Sequence, residues 1–146
     1  MPHIRVARQT DTKALARLTS QLGYPADAQA MGDRLAILLG SDQYQVLVAE
    51  SDASDLLGWG VIERRLGLES GPFAELTGLV VSDARRRTGV GRALVTAAEQ
   101  WAESQALAVV CVRSNALRHA SHPFYESLGY QRIKTQHVYN KTLKQQ

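Results

Sequence analysis

A chain of 146 residues with 45% apolar content has the size of one globular domain and is long enough to bury a substantial core. Its net charge of +3 is too small to argue for nucleic acid by itself, and a single cysteine excludes an internal disulfide. The first residues, Met1-Pro2-His3-Ile4-Arg5, carry no apolar leader core, and no run approaches about eighteen apolar residues, so neither export nor membrane spanning is expected and the chain reads as cytoplasmic.

Ile4 and Val6, alternating with Arg5 and Arg8, predict a short half-buried strand. Thr10 and Asp11 then cap a helix whose apolar face is Ala14, Leu15, Leu18 and Leu22, and which stops at Gly23. A second helix follows Tyr24-Pro25, with Ala28, Met31, Leu35, Leu38 and Leu39 as its buried stripe, and ends near Gly40-Ser41. Tyr44 to Glu50 and Leu56 to Arg65 read as two strands joined by a polar turn at Ser51–Asp55, an antiparallel hairpin. After a break from Gly67 to Pro72, a strand from Phe73 to Ser82 leads into a glycine-bearing loop and a helix to about Gln105. Leu107 to Arg113 predicts a buried strand, Ser121 to Leu128 a short helix, and Tyr130 to Leu143 a pair of strand pieces.

The stretch Leu79–Glu99 organises the rest. Leu79, Val80 and Val81 form an apolar run, whereas Val90, Leu94, Ala97, Ala98 and Trp101 fall at helical spacing, with Arg86-Arg87-Thr88-Gly89-Val90-Gly91 between them. The first turn of a helix has free N–H groups and the positive end of the macrodipole, and glycine lets a phosphate approach the backbone with no Cβ in the way. Arg85 to Arg87 add attraction for an anion. Gly89-Val90-Gly91-Arg92 fits neither the nucleoside-triphosphate P-loop, which needs Gly-Lys-Ser/Thr, nor the three-glycine dinucleotide fingerprint.

Arg86, Gly89 and Gly91 do match Arg/Gln-x-x-Gly-x-Gly/Ala, the pyrophosphate loop of the GNAT N-acetyltransferases, which the stretch resembles. A second match is Asn115 followed by Phe124-Tyr125-Glu126-Ser127-Leu128-Gly129-Tyr130, similar to the family's Asn and F-Y-x-x-x-G-F/Y. The order of predicted elements is the family's too, so the resemblance covers essentially the whole chain, 1–146, as one domain. It implies an α/β fold with a mixed central sheet of about six to seven strands, splayed at its centre, and about four helices. It also implies acetyl-CoA as co-substrate. Backbone groups of Leu79, Val80 and Val81 would meet the pantetheine arm, Arg86, Arg87, Thr88, Gly89, Val90, Gly91 and Arg92 the pyrophosphate, and Asn115 the cofactor.

The implied chemistry is attack of an amine on a thioester. The amine, with a pKa of about 10.4, must lose a proton, and the leaving thiolate, with a parent pKa of about 8.5, benefits from a donor. Backbone N–H groups near Val80 can hold the oxyanion. By the resemblance Tyr125 is the donor. Glu75 leads as base because it stands eleven residues before Arg86, where the histone-acetyltransferase members carry their catalytic glutamate. Many bacterial relatives place an acid two positions later, where this chain has Thr77, and Glu63 on the preceding strand or a water relay are alternatives.

Other residues read as structural. Cys111 sits among valines as a small buried hydrophobe; His119, His122 and His137 lack zinc spacing, so no metal is expected; Trp101 continues a helix stripe, and Trp59 is expected to pack in the sheet, with a wall of the acceptor pocket as the alternative. Tyr24 lies between the first helices, where the family builds its acceptor site. The expected function is direct acetyl transfer from acetyl-CoA to a primary amine of a small molecule such as an amino sugar, polyamine or amino acid derivative, without nucleic acid or membrane, and with a homodimer as the assembly. Protein acetylation and a non-catalytic acyl-CoA sensor are the competing readings.

Overall fold

The computed structural model describes residues 2–82, 88–114 and 121–144. The chain divides into two compact units, Met1–Arg113 and Ser114–Gln146.

The first unit is built on one five-stranded sheet in the order β1 (His3–Val6), β2 (Tyr44–Glu50), β3 (Leu56–Gly67), β4 (Gly71–Val81) and β5 (Val110–Val112). The first four strands run antiparallel to their neighbours, and β5 joins β4 in parallel after the crossover helix α3 (Val90–Ser104). Two further helices, α1 (Thr12–Gln21) and α2 (Ala28–Leu39), lie between β1 and β2 in sequence.

Strand alternation assigns the two faces. A Cβ at Gly58 would meet Leu94 and Val90 of α3, whereas the indole Nε1 of its neighbour Trp59 donates to Thr19 Oγ1 of α1 at 3.0 Å. Successive residues of a strand point to opposite faces, so α3 covers one face and α1 the other. On the α1 side Leu15, Leu35, Val46 and Val48 form the buried core, with Met31, Leu38, Trp59 and Val61 packed against it.

The hairpin, the crossover helix and most element boundaries match the sequence reading; three expectations need correction. Asp11 does not cap α1 through its side chain: its carboxylate accepts the Arg8 N–H at 2.7 Å, closing a 3-10 turn at Gln9–Asp11, and accepts two bonds from Arg5 at 2.9 and 3.0 Å. Arg5 also reaches Glu50, so one guanidinium ties β1 to the helix entry and to the end of β2. β5 is shorter than Leu107–Arg113 and not buried: among the described residues it pairs only with β4, and Cys111 is half-exposed and Val109 58% exposed.

In the second unit α4 (Ser121–Ser127) forms as expected, but residues 131–144 contain no strand. Ile133, Val138, Tyr139 and Leu143 are at least 83% exposed. A strand is a property of a pair, and their apolar pattern has no ladder to join. The sheet therefore has five strands among the described residues, below the six to seven expected, with the four α-helices anticipated. Among the described residues no helix is long and apolar enough to cross a membrane.

Candidate active site

β4 pairs with β5 only from Ala74↔Val110 to Leu76↔Val112, while its pairing with β3 continues to Gly58↔Val81. Beyond Leu76 the sheet forks. At the fork the β3–β4 register slips between Val61↔Gly78 and Ile62↔Leu76, leaving Thr77 as the extra residue of a β-bulge.

That bulge decides which amides face the opening. Before it, the Ala74 N–H donates to Val109 O at 2.9 Å, so even-numbered residues address β5. After it, the Ser82 N–H donates to Leu57 O at 2.8 Å, so even-numbered residues address β3. Because backbone direction alternates along a strand, Val80 is committed to the ladder opposite Trp59, and Leu79 and Val81 turn their N–H and C=O groups to the side where β5 has ended. The strand offers its neighbours' amides, in place of the one at Val80.

α3 begins beside this edge. Val80 O and the Val90 side chain both come within 3.2 Å of the position a Cβ on Gly58 would take, so the end of β4 and the start of α3 converge on that glycine. Val90 is 2% exposed, which leaves only its backbone to serve a ligand. Gly89 is the N-cap at φ 90°, and no atom of the described residues lies within 4 Å of where its Cβ would stand. The first intrahelical bond is Ala93 N–H to Gly89 O at 3.0 Å, so the amides of Val90, Gly91 and Arg92 are the first-turn donors. Thr88 and Arg92 are exposed. Arg86, Arg87 and Asn115 lie outside the described residues.

Glu75 sits just before the fork, directly across from Glu63. Both are buried, 6% and 9% exposed. Sequence reasoning named both carboxylates and missed the cations around them. Arg65, two residues after Glu63 on the same strand face, places Nη1 3.1 Å from Glu63 Oε1 and 3.9 Å from Glu75 Oε1. Arg113, just past β5, brings Nε to 3.4 Å from the same Glu75 oxygen. The Glu63 hydrogen bond, then the charges of Glu75 and Glu63, raise Arg65 above its usual range. The Glu63-x-Arg65 spacing was the available signal, since it puts both side chains on one face. Tyr44, opposite Glu63 on β2, shares that face.

In the second unit, the Tyr125 ring packs edge-on against Phe124 at 5.0 Å and Tyr130 at 6.0 Å between centroids. The Tyr130 and Leu128 N–H groups both donate to Tyr125 O, closing α4 around it. Of the other candidates, Trp59 is held in packing as expected, Tyr24 is 40% exposed between α1 and α2, and His119 lies outside the described residues. No group of three or more His, Cys, Asp or Glu able to hold a metal occurs among the described residues.

Comparison with known proteins adds to this geometry. The sequence profile of the Acetyltransferase (GNAT) family matches residues 12–130. N-acetyltransferase family 8 member 3 of Rattus norvegicus is 40% identical over 58 residues, a segment spanning 40% of this chain and 25% of that protein. Among solved structures, the aminoglycoside antibiotic 6'-N-acetyltransferase AAC(6')-IG of Acinetobacter haemolyticus superposes with a TM-score of 0.83 at 24% identity, covering 97% of this chain and 99% of that one. AAC(6')-Iy, solved with the bisubstrate analogue CoA-S-monomethyl-acetylneamine, gives a TM-score of 0.86 at 20% identity over 97% of this chain and 99% of that one. At these identities the likeness is one of fold.

Proposed function

The chain belongs to the acetyltransferase (GNAT) family, and from that premise we propose that it is an N-acetyltransferase moving the acetyl group of acetyl-CoA directly onto a primary amine of a small molecule. The observation that carries the proposal is the forked edge of β4 beside a helix that starts on a left-handed glycine. An extended amide-bearing arm can pair with the Leu79 and Val81 backbone as a strand would, and a pyrophosphate can settle on the first-turn amides of α3, in the open space at Gly89. Arg86, Arg87, Thr88 and Arg92 supply positive charge or hydrogen bonds to the phosphates, and Asn115 a further cofactor contact.

In the proposed reaction the amine first gives up a proton to Glu75, directly or through water. Its nitrogen then forms a bond to the thioester carbon, and an outward-facing β4 amide holds the oxyanion. Collapse breaks the carbon–sulfur bond, the thiolate takes a proton from Tyr125, and the second proton shed by the acylated nitrogen passes through water to restore the tyrosine hydroxyl. The products are the acetamide and free CoA. Buried carboxylates on the sheet face also suit an acceptor that arrives as an ammonium ion.

The small-molecule reading, with an amino sugar at its head, draws support from the aminoglycoside-modifying enzymes among the structural neighbours. The family profile crosses the boundary between the two units, which supports one functional domain over 1–146. A cytoplasmic location and a homodimer complete the proposal. The test is a panel of amino sugars, polyamines, amino acid derivatives and lysine peptides, followed by CoA release and mass spectrometry of the product. An acetylated amino sugar or other small amine is the expected result, acetylation of peptides alone would move the acceptor class, and failure to bind acetyl-CoA would overturn the whole reading.

A further inference from the structure

Glu63 and Glu75 are an unusual couple. They face each other across a ladder in which directly opposed side chains approach to about 5 Å, both are buried, and both are acids. Such a pair repels itself unless a cation stands between, and Arg65 does so: one nitrogen, Nη1, contacts Oε1 of both carboxylates. Arg113 also contacts Glu75. The side chain of Arg65 is 45% exposed, so its place is not forced by core packing. Glu75 Oε1 is fully buried and accepts no hydrogen bond from the described residues, so those two ion pairs are what hold it.

We infer that Arg65 is a positioning residue for acetyl transfer: by bridging Glu63 and Glu75 it offsets their repulsion and holds the Glu75 side chain in the orientation that receives the amine's proton. The inference rests on Glu75 being the base of the proposed reaction. It assigns Glu63 no proton; Glu63 anchors the arginine.

The experiment compares Arg65→Met, Arg65→Lys and the double variant Arg65→Met/Glu63→Gln, using acetyl-CoA and whichever amine the wild type acetylates. Arg65→Met should lower kcat at least tenfold while leaving the KM for acetyl-CoA within about twofold, since the residue is remote in sequence from the pyrophosphate loop. Arg65→Lys should restore most of the rate, because a point charge can still stand between the carboxylates. The double variant should also recover, because removing one carboxylate removes the repulsion that Arg65 offsets. Wild-type kcat in Arg65→Met, or a double variant no faster than the single one, would overturn the inference and leave the acetyltransferase reading standing. A wild type that acetylates no amine would overturn both.

Discussion

Gly78 lies beneath the indole of Trp59: a Cβ on residue 78 would stand 2.7 Å from the ring's Cζ3. The ring cannot easily retreat, because its Nε1 is bonded to Thr19 and Thr19 Oγ1 is itself bonded to Leu15 O at 2.7 Å. Gly78→Ala should therefore destabilise the protein by about 1–3 kcal/mol through overpacking. Urea unfolding measures it, and the loss should shrink when Trp59→Leu is introduced alongside. An additive double variant would mean that the two residues do not compete for space.

Gly89 offers a way to separate backbone strain from ligand exclusion. Its φ of 90° is costly for most L-residues but tolerated by asparagine. Gly89→Asn should keep its melting temperature better than Gly89→Val, yet both should weaken acetyl-CoA binding at least tenfold, about 1.4 kcal/mol, because each side chain enters the space proposed for the phosphate. Calorimetric titration decides it. Unchanged affinity in folded Gly89→Asn would remove the pyrophosphate from this turn.

The two directions of the β4 amides predict opposite outcomes for proline. Val81→Pro removes an N–H that faces the fork and costs no ladder bond, so the variant should fold while kcat/KM drops by about 10²-fold, as for other preorganised oxyanion or substrate amides. Val80→Pro removes a ladder bond to β3 and should unfold at lower urea. Equal stability of the two variants would contradict the assigned phase of the strand.

Tyr125→Phe and Glu75→Gln should bind acetyl-CoA nearly as the wild type does, since neither is proposed to hold the pyrophosphate. Each should lower kcat by about 10²- to 10⁴-fold. Full activity in Tyr125→Phe would make the ring a packing element between Phe124 and Tyr130. Full activity in Glu75→Gln would pass the base role to Glu63 or water.

The Arg5 hydrogen bond, with help from the Arg8 N–H, holds the Asp11 carboxyl below its ordinary value of 3.8. Folding therefore favours the carboxylate, and this stabilisation is present above about pH 3.8 and is lost as the pH falls through and below that value. Asp11→Asn should cost about 1–3 kcal/mol at pH 7, and the difference from wild type should narrow as the pH drops below about 4. Urea titrations at the two ends of that range would reveal it, and a pH-independent difference would assign the loss to hydrogen bonding alone.

How far the sequence could be read depended on whether a feature was local. The change from Leu79-Val80-Val81 to the helical spacing of Val90, Leu94 and Ala98 is written in adjacent residues, and β4 and α3 appear where it places them. Glu63 and Glu75 were legible as acids but not as neighbours, because their opposition depends on a register that includes the slip at Thr77. Arg113 was invisible for the same reason. The alternation from Tyr130 to Leu143 misled in the other direction: Ile133 and Val138 carry strand propensity without a partner ladder in the structure. Asp11 looked like a cap because its residue type is a common one, and the distant partner Arg5, brought close by the turn, claimed the carboxylate.

Thr77 has a role that its side chain does not explain. A strand can aim its amides in only two ways, and the surplus residue lets odd-numbered Glu75 and even-numbered Val80 both face β3. Deletion at 77 would remove the surplus and let Gly78 follow Leu76 in regular alternation, so Leu79, Val80 and Val81 would keep their partners on β3 and the direction of their amides. What the surplus residue adds is a local bend between Glu75 and the forked edge, so a chain shortened by Thr77 alone should keep the outward amides and lose the angle at which the two halves of β4 meet.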